Sequence, residues 1–339
     1  MFTSALTLDR TEDYPTLAGA STSPKAGDCL SIYSPKDKPW DNHKAVADRV
    51  ALLYAQDVEF RRLGARVLAC SGLLLFAWLT DQETGELSFR LRGAQFCRVR
   101  HCPVCQWRRS MMWQAKFYTA LPALQAAFPR VRWIFLTLTV KNCPVVALRA
   151  NLTAMNGAWK RLCLRPEFKS VLGFVRTTEV TRGEDGSAHP HFHVLMMVRP
   201  SYFGGNYYVT QVRWVGLWQE CARLDYAPVV DVRAVKGDLS KAVQETLKYA
   251  VKPADMEADG EWLLELTRQL HKLRFIATGG ALKDVFKPEA KITNVDMVNA
   301  GTSPEVEPEE PEETEEPERL AFGWDRPDRH YRKKSLKDE

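Results

Sequence analysis

His191, Phe192 and His193 form a His-x-His pair at the head of an apolar run that continues through Val194, Leu195, Met196, Met197 and Val198. Side chains in a strand alternate faces, so both imidazoles project from one side while Phe192 faces the other. Two imidazoles converging on one face are natural ligands for a divalent metal. Further along, Tyr249 lies in the charged stretch from Lys241 to Lys252 and offers a phenol as nucleophile. Metal plus tyrosine is the equipment for cutting a phosphodiester through a covalent intermediate.

Four carboxylate and amine candidates complete this site. The run Arg182-Gly183-Glu184-Asp185-Gly186-Ser187 is turn-rich and separates two β-prone segments, 173–181 and 191–198, so they read as a hairpin. A hairpin centred on Asp185 sets Glu179 opposite His191. A His₂-carboxylate set with open positions suits Mn²⁺ or Mg²⁺ acting on a phosphate oxygen. Residues 239–251 read as a helix stopped by Pro253. On it Lys241, Glu245, Lys248, Tyr249 and Lys252 share one side, and Val243, Leu247, Ala250 and Val251 the other. The tyrosine's ordinary pKa of about 10 needs lowering, which Lys248 or Lys252 can do, or these lysines steady the phosphate. Glu245 is placed as a general base for water or a hydroxyl. The bland alternative is a solvated charged face.

The cysteines define a second, separate site. Cys97, Cys102 and Cys105 fall within nine residues, and Cys102-Pro103-Val104-Cys105 has the C-x₂-C spacing of a zinc knuckle. The fourth ligand is Cys70, with His101 as the alternative. Cys29, Cys143, Cys163 and Cys221 lie apart and read as unliganded.

The elements that must position these residues follow from periodicity. Residues 1–42, rich in Ser, Thr, Pro and Asp, read as a flexible N-terminus. Residues 43–128 read as a helical, Cys-rich zinc- and DNA-binding region. Within it one helix covers 43–64 and ends at Gly64, and another covers 107–128, broken by Pro122. Residues 129–300 alternate: strand 133–140, helix 146–164, the hairpin, helix 209–224, strand 229–235 and helix 239–251. The order β-α-β-β-α-β-α predicts an α+β fold with an antiparallel sheet of ferredoxin-like or RRM-like type. Residues 301–339 read as an acidic Pro-rich linker and a charged tail.

Composition bounds the function. With 339 residues, 45% hydrophobic and 26% charged, the chain can form a soluble globular protein with an ample core. No apolar stretch reaches the ~20 residues of a membrane span, and no secretory pattern opens the chain. Eight cysteines without an export signal point to thiols or metal ligands in the cytoplasm. The formal charge is +5, but nine glutamates lie between Glu305 and Glu318, so the remainder carries about +14. Arg98, Arg100, Arg108 and Arg109 cluster with Trp107 and Trp113, a mixture that suits phosphates and stacked bases. A solvated surface is the alternative there.

Four segments in order resemble the plasmid rolling-circle replication initiators of the HUH endonuclease superfamily. They are Phe96–Ser110 with its cysteines, Phe135-Leu136-Thr137-Leu138-Thr139, His189–Leu195, and Glu245 to Tyr249. The resemblance covers the chain from about Cys70 to Gly280. It implies an HUH-endonuclease core in which Tyr249 nicks one strand of origin DNA, duplex and single-stranded forms both being bound. Tyr249 would keep the 5′-phosphate and leave a 3′-hydroxyl for a host polymerase, with a host helicase as further partner. It also implies that Glu245 assists the hydrolysis that ends the cycle. Two other readings share parts of this pattern: a single-strand transposase of the same superfamily, and a non-catalytic zinc-containing DNA-binding protein.

Overall fold

The apolar and β-branched runs fold into two antiparallel sheets, with helices packed against them. The computed structural model describes residues 29–80, 84–204, 207–248, 250–285, 292–300 and 319–335. The chain opens with the short helix α1 (Leu30–Tyr33) and the helical pair α2 (Pro39–Ala55) and α3 (Arg61–Ala69). The hairpin β1 (Leu73–Thr80) and β2 (Leu87–Ala94) follows, then the long helix α4 (Pro103–Ala127). The segment from β3 (Arg132–Thr139) through α5 (Leu148–Cys163), β4 (Val171–Arg182), β5 (Ala188–Val198) and α6 (Gln211–Ala222) to β6 (Val230–Val235) forms the second sheet. After it come α7 (Ser240–Leu247), α8 (Pro253–Glu257), α9 (Gly260–Gln269), β7 (Ile276–Gly280), α10 (Asn294–Val298), β8 (Arg319–Asp325) and β9 (His330–Lys334).

The larger sheet has the order β6-β3-β5-β4-β7, with all pairs antiparallel. Its first four strands run β-α-β-β-α-β, and their spatial order is the ferredoxin-like one. The protein is α+β, as its periodicity predicts. Central β5 is paired on both sides and buried on both faces, which is why its sequence is nearly continuous apolar residue. Phe192, Val194 and Met196 join Ile134 and Leu136 under α5 and α6, packing on Leu152, Trp159, Leu217 and Trp218. Leu195 and Met197 face the other way, against Phe117 and Leu124 of α4 and Val243 and Leu247 of α7. His191 and His193 belong to this second face.

The hairpin register is the one that a turn centred on Asp185 requires. Ser187 donates its backbone N–H and its hydroxyl to Asp185 Oδ1, and Gly186 takes φ +78°, a left-handed value suited to glycine. Glu179 therefore pairs with His191, and Thr177 with His193.

Several expectations are corrected. Residues 29–42 are not a flexible end: Leu30 and Trp40 are buried and α2 begins at Pro39. Residues 1–28 lie outside the described residues. Gly64 does not end a helix but lies inside α3, where an added Cβ would stand 2.8 Å from the Ala51 carbonyl of α2. It permits close helix contact. The helix drawn through Val58 stops at Ala55, leaving Val58 exposed. Residues 70–105 include the β1–β2 hairpin, whose first strand is the continuous apolar run Leu73–Leu79. Pro122 sits inside a continuous α4, because Phe117 and Leu124 on either side of it are held in the core. Residues 319–335 are not a charged tail, since β8 and β9 complete a second sheet in the order β2-β1-β8-β9. Tyr331 is buried there, its N–H donating to Asp41 and its hydroxyl to the Ser71 carbonyl. The acidic run 301–318 lies outside the described residues.

Candidate active site and metal centres

Strand alternation delivers His191 and His193 to one face of β5, between β4 carrying Glu179 and β3 carrying Thr137. A single carboxylate oxygen gathers the group. Glu179 Oε2 lies 3.0 Å from His191 Nε2, 2.8 Å from His193 Nε2 and 3.0 Å from Lys248 Nζ. Glu179 and both histidines are buried, and their ligand atoms lie within 4.8 Å of one another. Burial opposes the charge on Glu179, but hydrogen bonds from the two histidines and Lys248 override it and hold the carboxyl well below the usual carboxylate range. Burial lowers the His193 pKa against the opposing pull of Glu179, so its ring favours the neutral form a metal needs.

The outer ring nitrogens are occupied as metal-ligand histidines require. His191 Nδ1 stands 3.3 Å from the His189 carbonyl, which can only accept, so that nitrogen carries a proton. Nε2 faces the Glu179 oxygen at 3.0 Å, so a divalent cation bound there would stand in place of the proton the two share. His193 Nδ1 meets Thr137 Oγ1 at 3.3 Å, and its ring stacks on Phe135. The residues present therefore fit a divalent metal.

The segment around position 249 is fixed from the sheet and from α4. Helix α7 ends at Leu247, short of the expected Val251, because the Ser110 hydroxyl takes the Leu247 carbonyl at 2.6 Å and Lys248 turns to extended backbone. Lys248 Nζ then reaches Glu179 and, at 2.6 Å, Glu245 Oε1. Glu245 Oε1 lies 3.9 Å from His193 Nε2. Thr177 donates to the Thr246 carbonyl at 2.5 Å, the Val180 N–H to Ala250 at 2.9 Å, and the Val251 N–H to Gln106 at 3.4 Å. Tyr249 itself lies outside the described residues. Lys252 is exposed at the N-cap of α8 and makes none of these contacts, so the shared helical side assigned to it does not form. Thr177 was legible in principle, two residues before Glu179 on the same strand face. Ser110 and Gln106 carried no signal.

The cysteine cluster assembles as Cys70, Cys97, Cys102 and Cys105. Cys105 Sγ lies 3.6 Å from both Cys70 and Cys97, and the Arg98 N–H points to it at 3.3 Å. Hydrogen bonds from Cys102, Cys70 and Cys97 pull the Cys105 thiol well below its usual range, while burial pushes Cys102 up. Crowded, buried sulfurs met by backbone N–H groups are a fit for tetrahedral metal. His101 is not in the group: its Nδ1 meets Tyr54 and Thr267, and burial lowers its pKa to about 3. Arg108 is also not a surface cation. It is fully buried and donates to the Met297 and Val298 carbonyls at the end of α10.

Comparison with known proteins gives one family. A family model described as replication protein matches residues 88–332. A "Protein rep" of Streptococcus pneumoniae serotype 2 is 35% identical over 269 residues, covering 77% of this chain and 82% of its own. Another from Lactiplantibacillus plantarum is 37% identical over 285 residues, covering 78% and 87%. A "Replication protein" of Staphylococcus aureus is 39% identical over 174 residues, covering 47% and 74%. No solved structure matches the chain.

Proposed function

The chain belongs to the replication-protein family, and on that premise we propose that it initiates plasmid rolling-circle replication by nicking and rejoining one strand of its origin DNA. The observation that carries this reading is the Glu179 oxygen shared by His191, His193 and Lys248, the last of these next to position 249 in the chain. Glu179 and the two imidazoles would hold Mn²⁺ or Mg²⁺. When bound, such an ion polarises a phosphate oxygen and neutralises charge in the transition state.

The chain's own groups supply the rest. The Tyr249 oxygen attacks the scissile phosphorus, the bond to the 3′-oxygen breaks, and that oxygen leaves as a hydroxyl after taking up a proton. The 5′-phosphate stays on the tyrosine, and the free 3′-hydroxyl primes a host polymerase behind a host helicase. Lys248 sets a positive charge beside the phosphate. Glu245 takes the proton from the water or hydroxyl that later releases the DNA. The four cysteines would hold Zn²⁺ in a structural role. The buried Glu-His-His group disfavours a purely DNA-binding protein, and the relatives, named "Protein rep" or "Replication protein", favour an initiator over a transposase.

Incubating the protein with supercoiled plasmid carrying its presumed origin, with Mn²⁺ or Mg²⁺, tests this directly. A protein-linked 5′ end that disappears in Tyr249→Phe is the expected result. Undiminished linkage in that variant moves the nucleophile elsewhere.

A further inference from the structure

Alternation gives β4 two chemically different faces. Thr177 and Glu179 point to the histidines, so Arg176 and Thr178 point the other way, under α5. Leu152, Asn156, Trp159 and Lys160 recur at helical spacing on α5, and with residues 273–275 and 277 they enclose a pocket of about 380 Å³ over that face. We propose that this pocket binds a small phosphomonoester, with its phosphate at Arg176 and an apolar or aromatic body against Trp159 and Phe275. The site lies across the sheet from the Glu-His-His group and does not rest on the nicking proposal.

Arg176 is what marks it. The residue lines the pocket while only 3% exposed, so its guanidinium lies at the deep end. The group sits 3.9 Å from the centre of the Phe192 ring, and its Nη2 donates to the Asn156 side-chain oxygen at 2.6 Å. Nε and Nη1 are buried without an acceptor. No carboxylate pairs with Arg176 among the described residues, and none lines the pocket. Other buried guanidinium groups are provided for. Arg108 directs its donors to the Met297 and Val298 carbonyls. Arg182 and Arg332, each with a buried Nε, pair with Asp259 and with Asp325 and Asp328. Burial lowers the Arg176 pKa to about 10, and the Cys163 sulfur, not a carboxylate, is what opposes it.

A buried cation with unmet donors is unfavourable unless an anion reaches it. Lys160 and Arg274, both exposed and without an ion pair among the described residues, add positive charge to the same pocket. Three cations and no acid call for a ligand with more than one negative charge. A phosphomonoester carries about −1.5 to −2 at pH 7 and presents three strong acceptor oxygens, which a carboxylate does not. A diester within a DNA strand carries a single charge, and both of its substituents would have to leave a pocket whose deep end is buried. The Thr178 hydroxyl adds a polar group beside Arg176, while Leu152, Trp159 and Phe275 supply the apolar walls. The volume is that of a small-ligand site.

The test titrates full-length protein by calorimetry with thymidine 5′-monophosphate, inorganic phosphate and dimethyl phosphate, at constant ionic strength and without divalent metal. The monophosphate should saturate one site per chain and raise the melting temperature. Inorganic phosphate should bind more weakly, lacking a body for the apolar walls, and dimethyl phosphate should not bind. Lys160→Glu reverses an exposed charge and should weaken the monophosphate by at least about tenfold, as expected for one charge-assisted contact. Arg176→Met removes the buried charge at similar volume and should abolish saturation, with no fall in the melting temperature of the free protein. Should Arg176→Met fail to fold, Lys160→Glu decides alone. No saturable binding by the wild type, equal binding of dimethyl phosphate, or full affinity in Lys160→Glu overturns the proposal. So does a loss confined to Lys283→Ala, which would place the phosphate in the neighbouring cleft that Lys283 and Lys248 line.

Discussion

Glu179 and His191 sit directly across the β4–β5 ladder from each other, with carboxylate oxygen and imidazole nitrogen 3.0 Å apart. This pairing is a property of the backbone register, so the contact needs no loop to bring it about. Thr137 and the His189 carbonyl hold the far sides of the two rings. A site built on paired strands is rigid, and rigidity suits a centre that must present ligands in fixed geometry.

Removing the imidazoles should therefore abolish chemistry without abolishing binding. His191→Ala combined with His193→Ala is expected to lower nicking at least about 100-fold, because the polarisation they support is worth several kcal/mol. Origin-duplex affinity should stay within about twofold. Acidification should mimic the variant. The folded pKa values of His193 and Glu179 are both lowered, so both ligands stay free of protons to more acidic pH than ordinary groups would. Mn²⁺ affinity, followed by calorimetry, should therefore hold below the ordinary imidazole pKa of about 6.5 and decline only as the lowered values are reached. Normal nicking by the double variant in limiting Mn²⁺ would remove the metal assignment.

Glu245→Gln should separate starting from stopping. Nicking needs only the phenol and a polarised phosphate, whereas release by water needs a base. The variant is expected to nick at nearly the wild-type rate and to accumulate multimeric single strands from a two-origin plasmid. If Glu245 were merely a surface partner of Lys248, a pair worth about 0.3–0.5 kcal/mol, termination would be normal.

The four cysteines should carry one zinc per chain. Apparent binding free energies of about 10–16 kcal/mol for structural zinc are comparable with the stability of a whole domain. Cys102→Ser with Cys105→Ser should accordingly lose the metal and unfold the region around α4. Elemental analysis and protease sensitivity read both effects. Zinc retained by the double variant, or absent from the wild type, ends the assignment.

Ser110→Ala tests whether α4 holds the nucleophile segment. The change leaves the buried Leu247 carbonyl without its partner, at a cost of about 1–3 kcal/mol locally. Nicking should fall while Mn²⁺ affinity stays the same, since the Glu-His-His group is untouched. Ser110→Thr should restore activity in part. Equal loss of metal affinity would make Ser110 a general packing residue.

The sheet and the metal group were legible because both rest on period two. Alternation placed His191 and His193 on one face, and counting from Asp185 placed Glu179 across from them. The end of α7 was not legible, since a hydroxyl from a distant helix decides it. For the same reason Lys252 was assigned to a helical side that stops before reaching it. Arg108 looked like its basic neighbours in sequence, yet it is buried against the carbonyls of α10, far along the chain. Strands β8 and β9 were hidden by the charge around them, as Lys333 and Lys334 give little apolar signal and their partners lie at the other end of the chain.

That last arrangement bears on how the protein is made. Strand β1 has its partner β2 next to it in the chain, but its other edge waits for β8. The strands of the histidine-bearing sheet, Arg132 to Gly280, are all synthesised before that partner exists. During synthesis the cysteine-bearing half carries an open strand edge, with Leu74 lacking the cover of Phe322. A chain cut short before Arg319 keeps that edge for good. It would hold every residue assigned to chemistry and still be prone to stick to its neighbours.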